Sequence, residues 1–421
     1  MYALRAARFA RPAWLAVLTA VGLLVACAGG GNGGSIAAGS RAGAGSGTAG
    51  QVAAGSSAAA PTAREAAAGP ASGSAAGSGA AAPSAPADAV AGAAAAPAGV
   101  AGTPPEPTKV VVGGLGGLID RILYVAQDKG FFREQGIEID YNGVTSMVQA
   151  APHLAAGQMD VISSSTSAGL WNAISRDVSV KAVTDVTVVR PNQRNSLAVM
   201  VRKDLADQIH DYPDLRGHTI AIHQKAQINH VELARLLDLG GLTEQDVNVV
   251  EVPFPDQVAA LRNGAIDASI EVEPMVTVLE DQGIATRWRD MGEIYPGQVV
   301  QFLFYSAPFI RERRDVGERY LIAHLKAARY FEDAFVRGRN RDEVVQILLD
   351  NGPIKDPAMY EKIGRAFTGA EVNGHVSLDS LADEQEFYLR NGFISTRIDP
   401  AQLVDTSFSE QALRVLGPAE Q

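Results

Sequence analysis

A single cysteine, Cys27, stands in 421 residues, so no internal disulfide and no multi-cysteine metal centre can form. Basic residues are in deficit, with 36 Lys+Arg against 47 Asp+Glu and a formal net charge of −11. A nucleic-acid binder would need the opposite, a basic footprint. No Gly-Lys dipeptide occurs, which removes the Walker phosphate loop, and neither HExxH nor GxSxG is present. Gly114-Leu115-Gly116-Gly117 lacks the last glycine of a dinucleotide fingerprint. The seven histidines include no HxH or HxxxH pair. His223, His230 and Glu232 could meet near a helix start, but surface or capping histidines are the simpler reading. The sequence thus offers no catalytic residue, no metal site and no cofactor.

Large aliphatics are nearly missing from one long stretch. Residues 28–107 hold 31 alanines and 18 glycines, with Ile36, Val52, Val90 and Val100 the four larger aliphatic side chains. Such a segment cannot bury enough apolar surface to offset the entropy of ordering, so 27–107 is expected to be a disordered Ala/Gly/Ser/Pro-rich linker. At 80 residues its r.m.s. reach would be about 50 Å. Before it, Arg5, Arg8 and Arg11 precede an apolar run over 13–26, too short to span a bilayer comfortably, which reads as a secretory signal over 1–26. Leu24-Val25-Ala26-Cys27 resembles the lipobox of bacterial lipoproteins, cut before the cysteine and lipidated on its thiol. The plainer alternative is an ordinary signal or anchor with an incidental cysteine.

What is present begins near residue 108. Lys109-Val-Val-Val112 is a buried-strand run, 119–132 carries apolar residues at near-helical spacing, and Ile137-Glu-Ile-Asp-Tyr141 alternates as a strand does. A helix capped by Ser146, the strand 159–162 and a polar turn at 163–167 complete a β-α-β-α-β pattern, the mark of a mostly parallel sheet. The same pattern recurs over 219–270. Leu154-Ala-Ala-Gly157 with Asp160 rhymes with Leu261-Arg-Asn-Gly264 and Asp267, a spacing suited to two similar lobes. Extended runs at 195–203 and 299–307 would carry the chain between them. The expected division is lobe 1 from 108–195 and 300–421, and lobe 2 from 196–299. Helical spacing over 318–337, 341–349 and 378–391 predicts a C-terminal tail that wraps the first lobe.

In open α/β sheets, ligands bind beyond the carboxyl ends of the strands, where helix N-termini suit anions. Four loops fall there: 113–117, 144–147, 163–167 and 224–229. Each could also be an ordinary turn, but they agree in position. The candidate contacts are Gly114, Leu115, Ser146, Ser164, Ser165, Thr166, Gln224, Lys225 and Gln227. Glu271 and Glu273 follow the last strand of the second unit. Alternation puts both carboxylates on one side, where they would pair with an amine or basic nitrogen or remain solvated. Trp171 could stack on a flat ligand, but core is the simpler place for it.

Tyr124-Val-Ala-Gln-Asp-Lys-Gly-Phe-Phe-Arg-Glu-Gln-Gly-Ile-Glu-Ile, the Leu-Ala-Ala-Gly-Gln-Met-Asp run and Asp214-Leu-Arg-Gly-His-Thr-Ile-Ala-Ile-His223 resemble periplasmic solute-binding proteins of the nitrate/sulfonate/taurine and thiamine-pyrimidine precursor group. Glu271–Pro274 fits the same pattern, whereas Gln224-Lys225-Ala226-Gln227 departs from the group's common Gly-Ser start. The resemblance covers about 109–310. It implies an α/β, two-lobed, type II periplasmic binding protein-like fold and an ABC-importer receptor, lipid-anchored on the extracytoplasmic side. Its partners would be a small-molecule ligand, the permease transmembrane subunits, and the membrane through the anchor only. A pyrimidine-precursor synthase-like enzyme and a ligand-binding surface sensor are the rival expectations.

Overall fold

The computed structural model describes residues 106–420, apart from 145 and 368. The expected signal over 1–26, Cys27 and the expected linker up to residue 105 lie outside the described residues. Two five-stranded sheets organise the chain. The first has the order β2-β1-β3-β10-β4 and the second β7-β6-β8-β5-β9. The strands are β1 (Thr108–Gly114), β2 (Ile137–Gly143), β3 (Val161–Ser164), β4 (Val180–Val188), β5 (Leu197–Arg202), β6 (Thr219–Ile222), β7 (Asn248–Glu251), β8 (Ala268–Val272), β9 (Ala285–Asp290) and β10 (Val299–Ser306). β1 pairs in parallel with β2 and β3, and β6 with β7 and β8. β10 and β5 run antiparallel to their neighbours, because the chain passes from one sheet to the other and back between β4 and β5 and between β9 and β10.

The helices are α1 (Arg121–Asp128), α2 (Phe131–Glu134), α3 (Met147–Ala155), α4 (Ala168–Ile174), α5 (Ile228–Leu239), α6 (Phe254–Asn263), α7 (Met275–Asp281), α8 (Met291–Ile294), α9 (Ala307–Glu312), α10 (Arg314–Val336), α11 (Arg341–Asn351), α12 (Pro357–Ile363), α13 (Leu378–Arg390) and α14 (Ser407–Leu416). The single helix expected over 119–132 is broken into a 3-10 turn, α1 and α2. Gly130 turns the chain at φ +75° between the last two, a conformation that favours glycine. β4 and β9 were not legible as strands. Ala285-Thr-Arg-Trp-Arg-Asp290 in particular is polar on both sides and is recruited by pairing with β5. Among the described residues no helix is long and apolar enough to cross a membrane.

The 107-residue rhyme has a structural cause. Asp160 and Asp267 stand just before the third parallel strand of each sheet. The Asp160 N–H donates to the Val111 carbonyl at 2.9 Å while its Oδ2 accepts from the Val111 N–H at 2.9 Å. Asp267 does the same to Thr219, at 2.8 and 3.0 Å. An arginine backs each carboxylate, Arg313 at 3.0 Å and Arg202 at 3.1 Å. The matched leucines Leu154 and Leu261 are fully buried, and Gly157 and Gly264 end their helices at positive φ. The aspartates therefore pin β1 against β3 and β6 against β8 at the start of β3 and β8.

Candidate functional site

In the first lobe the β1 loop is held open to close approach by glycine. A Cβ on Gly114 would fall 2.3 Å from Tyr141 Cε2 and 2.6 Å from Asp120 Oδ2. Asp120 Oδ2 accepts from the Tyr141 hydroxyl and from the Gly116 N–H, both at 2.8 Å, and burial pushes its carboxyl up to about 6 against those hydrogen bonds. Leu115 is half-buried beside it. Ser146 caps α3, accepting from the Gln149 N–H at 3.3 Å. Ser164 is buried and Ser165 half-buried. Thr166, also buried, donates to Glu384 of α13, and the next residue, Ser167, caps α4 through the Leu170 N–H at 3.2 Å.

In the second lobe Gln224 and Lys225 are exposed and Gln227 is half-buried. Gln227 Nε2 donates to Gln224 Oε1 at 2.7 Å, and the Lys225 N–H donates to Glu251 at 3.0 Å. Ala226 takes φ +57°, and its N–H donates to His230 Nδ1 at 3.2 Å. His230 Nε2 therefore carries the proton facing Glu244 Oε1, 2.6 Å away. The two rims meet here. The Ala168 N–H donates to the Ala226 carbonyl at 3.0 Å, and Ser167 bridges Gln227. Trp171 is core, in an apolar cluster that spans both lobes and includes Leu154, Ile228 and Tyr388. The histidines depart from the expected surface placement: His230 and His324 are both buried.

The two glutamates differ although both are buried. Glu273 is engaged: its Oε1 lies 3.2 Å from Arg287 and its Oε2 accepts from the Thr277 N–H at 3.1 Å. Arg287 is shared with Asp290 at 2.7 Å, so this carboxylate ties α7 to β9. Glu271 is fully buried and its Oε1 has no partner; its Oε2 accepts one long bond from the Val272 N–H at 3.4 Å. Burial, with the like charge of Glu273 adding to it, pushes the Glu271 carboxyl well above the usual range despite that bond.

Helix α13 joins the two rims, which no sequence motif announced. Glu384 accepts from Thr166 of the first lobe and from Ser380 at 3.2 Å. One residue earlier, Asp383 accepts from Arg235 of α5 and from the Tyr295 hydroxyl at 3.0 Å. Glu232 of α5 accepts from Gln298 at 2.8 Å and Asn229 at 2.6 Å, and burial pushes it up to about 7. Phe387 meets the His230 ring edge-on at 5.0 Å. The tail therefore does more than wrap the first lobe. Amphipathic spacing located the helix, but not the lobe its polar residues address.

The family model described as NMT1/THI5 like matches residues 121–332, just over half of the chain. The chain belongs to the NMT1/THI5-like family. Its relatives include YtlA of Bacillus subtilis (strain 168), named as a binding protein, 20% identical over 300 residues that cover 69% of this chain and 85% of YtlA. The periplasmic aliphatic sulphonate binding protein SsuA from Escherichia coli superposes with a TM-score of 0.58 at 19% identity, covering 71% of this chain and 92% of SsuA. The desulfurization enzyme DszB superposes with a TM-score of 0.54 at 18% identity, covering 73% and 99%. The family member described here thus has the two-lobed fold of periplasmic binding proteins, a fold that also hosts an enzyme.

Proposed function

We propose that this protein is the solute-binding receptor of an ABC importer. In this reading it is lipid-anchored through Cys27 outside the cytoplasm and captures a small organic solute, sulfonate/taurine-like or thiamine-pyrimidine-like, between its lobes. The observation that carries the proposal is that the two sheets meet at strand ends: the segment after β3 touches the segment after β6, the Ala168 N–H donating to the Ala226 carbonyl and Ser167 bridging Gln227. Gly114, Leu115, Ser164, Ser165, Gln224, Lys225 and Gln227 would receive an anionic end through backbone N–H groups, hydroxyls and the lysine. Glu271 would receive a nitrogen. Ser146, Thr166 and Glu273 have partners inside the protein and would shape the rim. Closure around solute would present the permease with a surface set by contacts from both lobes.

The fold does not separate binding from catalysis, as DszB illustrates. Binding is favoured by the relatives: YtlA is named as a binding protein and SsuA as a sulphonate binding protein. The test is a thermal-shift panel of zwitterionic sulfonates, aminopyrimidines and simple anions on the full-length protein. A true solute at 100 times its Kd stabilises by ~2.7 kcal/mol, a rise on the order of 5 °C. A panel in which no solute moves the transition, or in which a solute is chemically turned over, would overturn the receptor reading.

A further inference from the structure

Beneath the second lobe's rim lies a group of buried polar atoms that the fold itself does not use. Along β8, Ser269 pairs with Met200 and Glu271 with Ala198. Ala198 and Met200 pack with Leu261 of α6 and with Val276 and Leu279 of α7, so Ser269 and Glu271 point toward those two helices. The parallel register Ala221↔Ser269, carried two residues on, sets His223 alongside Glu271. His223 is held on that side by Phe254, the first residue of α6, whose ring stacks on the imidazole at 4.6 Å and 6°. One turn further along the same helix face, Gln257 is fully buried, with its Nε2 spent on the Val252 carbonyl at 2.8 Å.

Four buried atoms are left without a partner: Glu271 Oε1, Ser269 Oγ, Gln257 Oε1 and His223 Nδ1. Burying one such atom unsatisfied costs about 1–3 kcal/mol, so a group of them in one layer is unusual for a structural core. Acceptors predominate. The Gln257 amide oxygen accepts, Glu271 accepts at both oxygens once ionised, and the Ser269 hydroxyl and His223 imidazole can accept as well as donate. The three N–H donors of a protonated primary amine can serve three of the four, and the Ser269 hydroxyl, itself also a donor, is the one that need not be served by the amine. A carboxylate, sulfonate or phosphate would instead meet an ionised Glu271 head-on. Glu273, bonded to Arg287 and the Thr277 N–H, does not compete for it.

We infer that His223, Gln257, Ser269 and Glu271 form a recessed amine-binding subsite in the second lobe, which takes the primary amino group of the solute. The inference rests on the receptor reading above and gives that solute an orientation, nitrogen into lobe 2 and its other end toward the first lobe. It also places specificity on His223, Gln257 and Ser269, beside Glu271.

A fragment titration tests the subsite without the solute in hand. Full-length protein in detergent micelles, labelled with ring-15N histidine, is titrated with ethylammonium and separately with ethanol, the His223 signals being identified by their loss in His223→Gln. Ethylammonium should give a saturable shift of the His223 signals and ethanol none. Glu271→Gln should weaken the apparent affinity at least tenfold, and Gln257→Leu should weaken it too while a melting curve reports that each variant is folded. No shift with ethylammonium, an equal response to ethanol, or an unchanged affinity in folded Glu271→Gln would each overturn the subsite. The receptor reading fails separately: a response to ethylammonium with no organic solute captured removes the receptor and keeps the subsite. Solute capture that is indifferent to Glu271→Gln and Gln257→Leu removes the subsite and keeps the receptor.

Discussion

Gly114 shows how a rim position is dictated by contact. Its neighbours Tyr141 and Asp120 leave no room for a methyl group, while Gly117, three residues on, has nothing within 4 Å of the corresponding point and needs glycine for its φ of +81° instead. Two physical reasons for glycine thus operate in one loop. Gly114→Ala must displace the Asp120–Tyr141 hydrogen bond and should cost ~1–3 kcal/mol in urea unfolding, the usual penalty of overpacking. Gly117→Ala should cost ~1–2 kcal/mol, the left-handed backbone penalty, without disturbing that pair. A Gly114→Ala loss below about 0.5 kcal/mol, within the range of ordinary surface changes, would mean that Tyr141 yields freely.

At the scale of elements, α13 couples the lobes through a buried acid, Glu384, and a half-exposed one, Asp383. Glu384 is fully buried, and burial pushes its carboxyl well above the usual range; Ser380 works against this, while the charges of Glu232, Asp383 and Asp185 add to it. Because the folded protein holds this proton more tightly than the unfolded chain, its contribution is fully present below the unfolded value near 4.5 and is lost as pH rises from there toward the folded value. Glu384→Gln keeps the shape and an acceptor for Thr166 without the charge. It should raise the melting temperature at pH 8, by an amount corresponding to roughly 1–3 kcal/mol, and the gain should shrink toward pH 4. Equal stability of variant and wild type at both pH values would show that Glu384 sheds its charge penalty by other means.

At the scale of the whole molecule, compartment and binding are separable. The proposed anchor depends on Cys27, outside the described residues, whereas the two sheets and their cores are built from residues after 106. Cys27→Ala should therefore move the protein from the membrane fraction to a soluble or unprocessed form and leave the melting temperature within about 1 °C, since surface changes outside a core are usually small. Unchanged fractionation and unchanged intact mass would count against lipidation. A large fall in melting temperature would mean instead that the segment packs on the folded part.

Period and composition reach as far as local physics does. The alternation of β1, β2, β6 and β8 with helical spacing, the Leu–Gly–Asp rhyme and the two extended crossings were legible because each depends on side-chain period or on turn residues near in sequence. So was the placing of loops at strand ends, which follows from parallel pairing. Tertiary structure decided the rest. Glu271 and Glu273 look alike in sequence, two residues apart, yet Arg287 arrives from β9 to bond one while the other is left without a partner for Oε1. His223 has Phe254 stacked on its ring only because α6 packs over the end of β6. Thr166 met Glu384 across 218 residues. Such encounters are settled by which strands and helices pack together, and a burial that changes a group's charge state exists only once that packing has excluded water.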